Sequence, residues 1–289
     1  MNKSVLLVLA GAILWGTTGT AQALAPEAAS PLVIGALRLL IGGGALFVFI
    51  SFTGRLKLGT IPKKALLISA LAMALYQPFF FIGVDLTGVA IGTVVAICSA
   101  PMFAGILEGF FYKKLPDRTW IFSTLLAITG CTLIFQGGGQ IVFEPSGMVY
   151  ALLAGLSFAT YTLVSKSLVE QYPSDVVVAL IFSTAAIFLL PILFVSDLSW
   201  VLEVDGALSV FHLGILATAI AYIVFARGLK GVVASHAVTL ALAEPLTAVL
   251  LGVFILGESL SVVSFTGLLL IVSGLVILST QARRRRTQT

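Results

Sequence analysis

Ten runs of about twenty apolar residues, separated by short polar connections, leave this chain few folds to adopt. Each run can cross about 30 Å of hydrocarbon as an α-helix rising about 1.5 Å per residue. In a bilayer the backbone must satisfy its own hydrogen bonds, and these runs lack the alternation of barrel strands, so helices are the expected element. The spans are predicted at 4–24, 31–53, 65–85, 88–112, 119–136, 147–167, 176–195, 207–226, 233–256 and 261–280. Only 10% of residues are charged, against about 25% in soluble domains, and mean hydropathy is +1.14, which excludes an ordinary soluble protein. The net charge of +4 does not point to nucleic acid, because the basic residues lie between spans and at the C-terminus rather than on one polar face. Cys98 and Cys131 fall inside apolar runs and read as small core residues, not as a disulfide or metal pair.

Lys3, the first apolar run and Ala21-Gln22-Ala23 imitate a secretory signal. Trp15, Thr17, Thr18 and Thr20 within the run, and its match to a later segment, favour a retained span. With a cytoplasmic N-terminus, Lys3, Arg55, Lys57, Lys63, Lys64, Lys113, Lys114, Arg118, Lys166, Arg227, Lys230 and Arg283 to Arg286 all fall on the cytoplasmic side. Arg38, inside span 2, is the exception. Both termini are therefore expected in the cytoplasm.

A displacement of 144 residues lays Ala10-Gly11 on Ala154-Gly155, Pro101 on Pro245 and Gly130 on Gly274. Thr87-Gly88-Val89 matches Lys230-Gly231-Val232 with a slip of one residue. Five spans per half is an odd number, so the second copy enters the membrane from the opposite side. The expected fold is an all-α integral membrane protein of two inverted five-helix repeats: 1–136 and 147–280, a connecting loop at 137–146 and a basic tail at 281–289. Gly137-Gly138-Gly139 reads as a loop or a hinge. In carriers of this design the substrate site tends to lie near the midplane between the halves.

Arg38 and Glu244 are the two charges hardest to place in hydrocarbon. From the nearer span ends they lie roughly 10 Å and 16 Å deep on opposite sides, and so at depths about 4 Å apart. They are candidates for a gating or structural charge pair; alternatively, Arg38 snorkels toward the outer headgroups. Glu244 and His236 are also candidate proton or hydrogen-bond sites, with a helix-end hydrogen bond as the plainer role for His236. His212 is a weaker candidate. A substrate cavity is read from Trp15, Thr18, Gln22, Tyr76, Gln77, Ser99, Thr160, Tyr161, Thr218, Tyr222 and Thr239, with Tyr76 and Tyr222 foremost. Singly, such hydroxyls bond to their own helix and such aromatics anchor at the interface. Pro78, Pro101 and Pro245 are expected to kink their helices, flexibly or as fixed bends.

The order and spacing of Leu14-Trp15-Gly16, Leu37-Arg38-Leu39, Ala219-Ile220-Ala221-Tyr222, Ala243-Glu244-Pro245 and Leu256-Gly257-Glu258 resemble the ten-helix, EamA-type branch of the drug/metabolite transporter superfamily. The resemblance covers the chain to about residue 280. It implies a secondary-active carrier in the cell membrane for amino acids, other small metabolites or drugs, by export more often than uptake. Ala100-Pro101 stands where the family often has Glu-Pro, so Glu244 has no counterpart in span 4 and reads as an organiser of the interface between halves. The expected partners are a small-molecule substrate, membrane lipid and protons as coupling ion, with a monomeric chain. No cofactor or metal is expected. The runner-up from another class is an intramembrane enzyme, but HExxH, GxSxG and GxxxxGK[ST] are all absent.

Overall fold

The computed structural model describes residues 2–54, 61–113, 116–135, 144–257 and 261–286, and every regular element among them is a helix. Span 1 consists of α1 (Lys3–Gly16) and α2 (Thr18–Ala23). Then come α3 (Pro31–Phe52), α4 (Lys63–Thr87), α5 (Val89–Tyr112), α6 (Arg118–Phe135), α7 (Pro145–Gln171) and α8 (Ser174–Phe194). Span 8 runs through α9 (Val204–Phe211), a π-helix (His212–Ile220) and α10 (Ala221–Leu229). Span 9 is α11 (Ala234–Leu240) followed by α12 (Ala243–Leu256), and span 10 is α13 (Val262–Arg286). Among the described residues nine of the spans are long and apolar enough to cross a membrane, and α6 supplies a shorter apolar helix, Arg118–Ile134.

Local chemistry sets several of the ends. Asn2 caps α1, its side-chain oxygen accepting from the Ser4 N–H at 3.2 Å. Pro31 and Pro145 open α3 and α7, where a missing N–H leaves no bond unmade. Gly88 alone joins α4 to α5, at φ +85°, a backbone region that glycine enters without steric cost.

The main helix pairings are α4 on α7, α3 on α8, α1 on α10 and α6 on α13, with α5 also against α7. Lipid is as apolar as leucine, so close backbone packing has to hold such pairs together. Glycine makes the approach possible. A methyl group on Gly83 of α4 would lie 2.8 Å from the Ala151 nitrogen of α7, and one on Gly43 of α3 would lie 2.7 Å from the Phe182 carbonyl carbon of α8. Large side chains such as Phe52, Phe110 and Phe254 face outward, as a lipid-bathed surface requires. Cys98 and Cys131 are buried free thiols.

Three of the predicted spans carry irregularities. Spans 1 and 9 are not continuous helices but break at Thr17 and at Ala241-Leu242. Span 8 starts at Val204 rather than 207 and carries the π-helix. Hydropathy reports length in hydrocarbon and is blind to hydrogen-bond register, so it cannot see these irregularities. Pro78 and Pro101 lie inside unbroken α4 and α5, whereas Pro245 is the third residue of α12, in the first turn, where the backbone N–H has no helical partner anyway. Arg55, Lys57, Lys114, Gly137-Gly138-Gly139 and Glu258 lie outside the described residues.

Candidate functional site

The irregular spans 1, 8 and 9 meet at one internal cavity. Trp15 and Thr18 reach it from span 1, Arg38 from α3, Tyr76 from α4, Phe158 from α7, Tyr222 from α10 and Glu244 from α12. Ala96, Ile97, Ala100, Val238, Ala241 and Leu242 complete an apolar lining. The free space is about 50 Å³. At roughly 10–15 Å³ per water, that is room for a few waters, far below the roughly 300–1,000 Å³ of typical small-molecule sites.

Arg38 is buried and held from one side. Its Nε donates to Thr218 Oγ1 at 3.0 Å and its Nη2 to the Ala217 carbonyl at 3.2 Å, both in the π-helix. Gly42 permits this reach, because a methyl there would lie 2.6 Å from the Gly214 carbonyl oxygen, so the α3 backbone rests directly on the π-helix. Glu244 is half-buried on the second residue of α12, where the positive end of the helix dipole favours a carboxylate. This position, not a mid-helix one, explains how the acid is tolerated. Arg38 and Glu244 line the same cavity, yet no Arg38 nitrogen comes within the 4.0 Å of an ion pair with Glu244. Lys166, by contrast, pairs with Glu170 at 2.7 Å.

The aromatic wall is continuous. The Trp15 ring lies 4.6 Å from Tyr222 and 5.8 Å from Phe158, while Tyr76 lies 6.0 Å from Phe158. Phe182, 4.4 Å from Tyr222, and Tyr161, 5.8 Å from it, back this wall from behind. Trp15 Nε1 is buried without a hydrogen-bond partner.

Of the residues read as cavity-forming from sequence, Trp15, Thr18, Tyr76 and Tyr222 line this space, joined by both Arg38 and Glu244. The others lie elsewhere. Thr218 holds Arg38, and Tyr161 is in the second aromatic layer. Gln77 is buried against Gly35 of α3. Ser99 donates to the Ala96 carbonyl and packs on Gly155 of α7. Thr239 bonds Thr124 at 2.9 Å and the Ser235 carbonyl at 3.1 Å. His236 is buried at the start of α11 beside Ser235, and Gln22 and Thr160 are half-buried outside the lining. Sequence reasoning passed over Phe158, whose side chain looks like any other apolar residue of span 6. It also passed over Glu108, a buried acid of α5 that accepts from the Ser235 N–H at 3.4 Å. Among the described residues no three His, Cys, Asp or Glu side chains converge as a metal site would need.

The profile of the EamA-like transporter family matches residues 2–136 and again residues 145–280. The chain belongs to the EamA-like transporter family. An uncharacterized transporter of Bacillus subtilis strain 168, YwfM, is 46% identical over 286 residues, spanning 99% of this chain and 97% of that protein. An uncharacterized inner membrane transporter of Salmonella typhimurium, YicL, is 26% identical, spanning 98% of this chain and 97% of its own length. A probable amino-acid metabolite efflux pump of the same organism is 25% identical, spanning 99% and 98%. A solved crystal structure at 22% identity superposes with a TM-score of 0.84 over 97% of this chain and 98% of that one, which establishes the shared fold. The protein is thus an EamA-like transporter and, with its succession of apolar helices, a multi-pass protein of the cell membrane.

Proposed function

We propose that this EamA-like transporter carries small zwitterions, amino acids above all, across the cell membrane by alternating access, with export as the main direction. One observation carries the reading: a guanidinium and a carboxylate, Arg38 and Glu244, face a common cavity without pairing with each other. With Arg38 held by neutral groups and Glu244 at a helix N-terminus, both charges stay available to a third partner that satisfies the two together. An amino acid does so, with its carboxylate at Arg38, its ammonium at Glu244 and its side chain along Trp15, Tyr76 and Tyr222. The relative named as a probable amino-acid metabolite efflux pump lends support.

The mechanism draws on two inverted repeats with cytoplasmic termini. The family profile matching each half separately supports the duplication. So does the helix pairing, since α4 on α7 and α1 on α10 exchange under a five-span shift while α3 on α8 and α6 on α13 map onto themselves. Rocking one half against the other would then expose the cavity to each side in turn. Protons are the proposed coupling ion, with Glu244 exchanging its proton for the substrate ammonium.

The test is counterflow of labelled amino acids in proteoliposomes, with competition by the matching amine and the matching acid. Losing one charged contact of about 1.5–3 kcal/mol should weaken each analogue roughly 10- to 150-fold relative to the zwitterion. Arg38→Gln should erase the penalty for the amine, and Glu244→Gln the penalty for the acid. Equal competition by amine, acid and zwitterion would defeat the proposal. An imposed proton gradient should drive net flux in the parent protein and leave it unchanged in Glu244→Gln.

A further inference from the structure

Thr17 and Thr18 are adjacent in sequence and face different spaces. Thr18 lines the central cavity, whereas Thr17, with Thr20, Ala21 and Leu24, lines a second opening of about 580 Å³. Its far walls include Asp205 and His212 of span 8 and Leu251 and Ile255 of α12. The six-residue helix α2 is therefore the partition between the cavity and this crevice. By chain direction the crevice lies at the end of the molecule away from Lys3, Lys63, Lys166 and Arg227.

The partition is weakly built on one side and pinned on the other. Thr18, Gly19 and Thr20 are poor helix formers, and α2 has no side-chain cap. Gly16, just before the break, is fixed: a methyl there would lie 2.5 Å from Thr247 Cβ and 2.7 Å from the Glu244 carbonyl oxygen, so the end of α1 rests on the α12 backbone. At Thr17 the helix is interrupted, and the Thr17 hydroxyl donates to the Leu14 carbonyl at 2.7 Å. A pinned residue followed by an interrupted turn and a short, poorly propagating helix has the geometry of a hinge. A hydrogen bond spans the crevice here, between His212 Nε2 and Thr17 Oγ1 at 2.8 Å. Because the one hydroxyl hydrogen of Thr17 goes to Leu14, the imidazole is the donor. His212 is also the first residue of the π-helix whose later turn holds Arg38.

We propose that the crevice is the vestibule of the transport path and that α2 is its gate, swinging about Gly16-Thr17 and latched by the Thr17–His212 bond. The inference rests on the carrier reading above. A cavity with room for a few waters must lose a wall before a solute enters or leaves, and α2 is a wall with open space behind it. The latch also ties the gate to the binding site, since the π-helix carries His212 at one end and the partners of Arg38 further along.

The test uses full-length protein in proteoliposomes, with Cys98 and Cys131 replaced by alanine and Ala100→Cys reporting access to the cavity. The readout is the rate of modification by a membrane-impermeant thiosulfonate applied from the crevice side. Thr17→Val and His212→Phe should each raise that rate about two- to tenfold, the population shift expected from one lost neutral hydrogen bond. His212→Gln, which keeps a donor, should stay near the parent rate. A rate unchanged by both removals, in protein with parental circular dichroism and elution, overturns the proposal; so does a rise seen only from the side of the basic loops. A second variant covers a folding failure: Thr20→Cys bridged to Leu251→Cys by a short bis-thiosulfonate should stop counterflow until reductant is added, and transport through the bridged protein overturns the gate. The modification assay needs no solute, so failure of the zwitterion reading and failure of the gate are distinguishable.

Discussion

Arg38 on α3 gives its Nε hydrogen to the Thr218 hydroxyl at 3.0 Å, in the π-helix of span 8, while Glu244 stands across the same cavity without a direct bond to it. The guanidinium is therefore oriented by a neutral clamp, which leaves its charge available. Thr218→Val removes one acceptor of a charged donor, a loss of about 1.5–3 kcal/mol. The thermal midpoint in detergent should fall for Thr218→Val and hold for Thr218→Ser. Equal midpoints for both variants would mean that the clamp carries no weight.

Gly43 and Gly44 are neighbours with opposite expected behaviour. A methyl on Gly43 meets the α8 backbone at 2.7 to 2.8 Å, with no flexible side chain to yield, whereas a methyl on Gly44 meets nothing within 4 Å. Gly43→Ala should destabilise by about 1–3 kcal/mol, as overpacked sites do. Gly44→Ala should be neutral or stabilise by up to about 0.5–1 kcal/mol through helix propensity. Parallel unfolding titrations in mixed micelles would read both.

Asp197 lies in the polar connection after α8, where the Ser199 backbone N–H donates to it at 2.8 Å and the Ser199 hydroxyl at 3.0 Å. These two bonds hold its carboxyl below the ordinary aspartate range. With the folded value depressed, the turn's contribution is present above the ordinary value of about 3.9 and is lost as pH falls through the lower folded one. Carboxyl-resolved NMR in micelles should show that depression in the parent, and Ser199→Ala should return Asp197 toward the ordinary value.

Much of the architecture could be read from the chain, because a hydrocarbon solvent reduces folding to the placement of apolar lengths. The nine long spans and the shorter α6 follow the predicted runs closely. Arg38 and Glu244 could be found because charge is rare there, and Tyr76, Tyr222, Trp15 and Thr18 because polar and aromatic groups stand out in apolar runs. The rotation of each helix about its axis could not be read this way. Ser99, Thr239 and Gln77 have the same chemistry as the cavity residues but turn to neighbouring helices, where they meet Gly155, Thr124 and Gly35. Phe158 has the reverse problem, a cavity residue that nothing local marks. The breaks at Thr17 and Ala241-Leu242 were hidden for another reason: they alter hydrogen-bond register without altering hydrophobicity.

The π-helix at His212–Ile220 has a consequence for comparing relatives. Removing one codon between His212 and Ala217 would let the segment relax toward α-helical winding and rotate the turns on its N-terminal side by about 100° relative to those on its C-terminal side. His212 could then no longer meet Thr17 while Ala217 and Thr218 still met Arg38. A gap of a single position in an alignment of this span would thus separate chains able to make both contacts from chains that must choose between them, even where every named residue is retained.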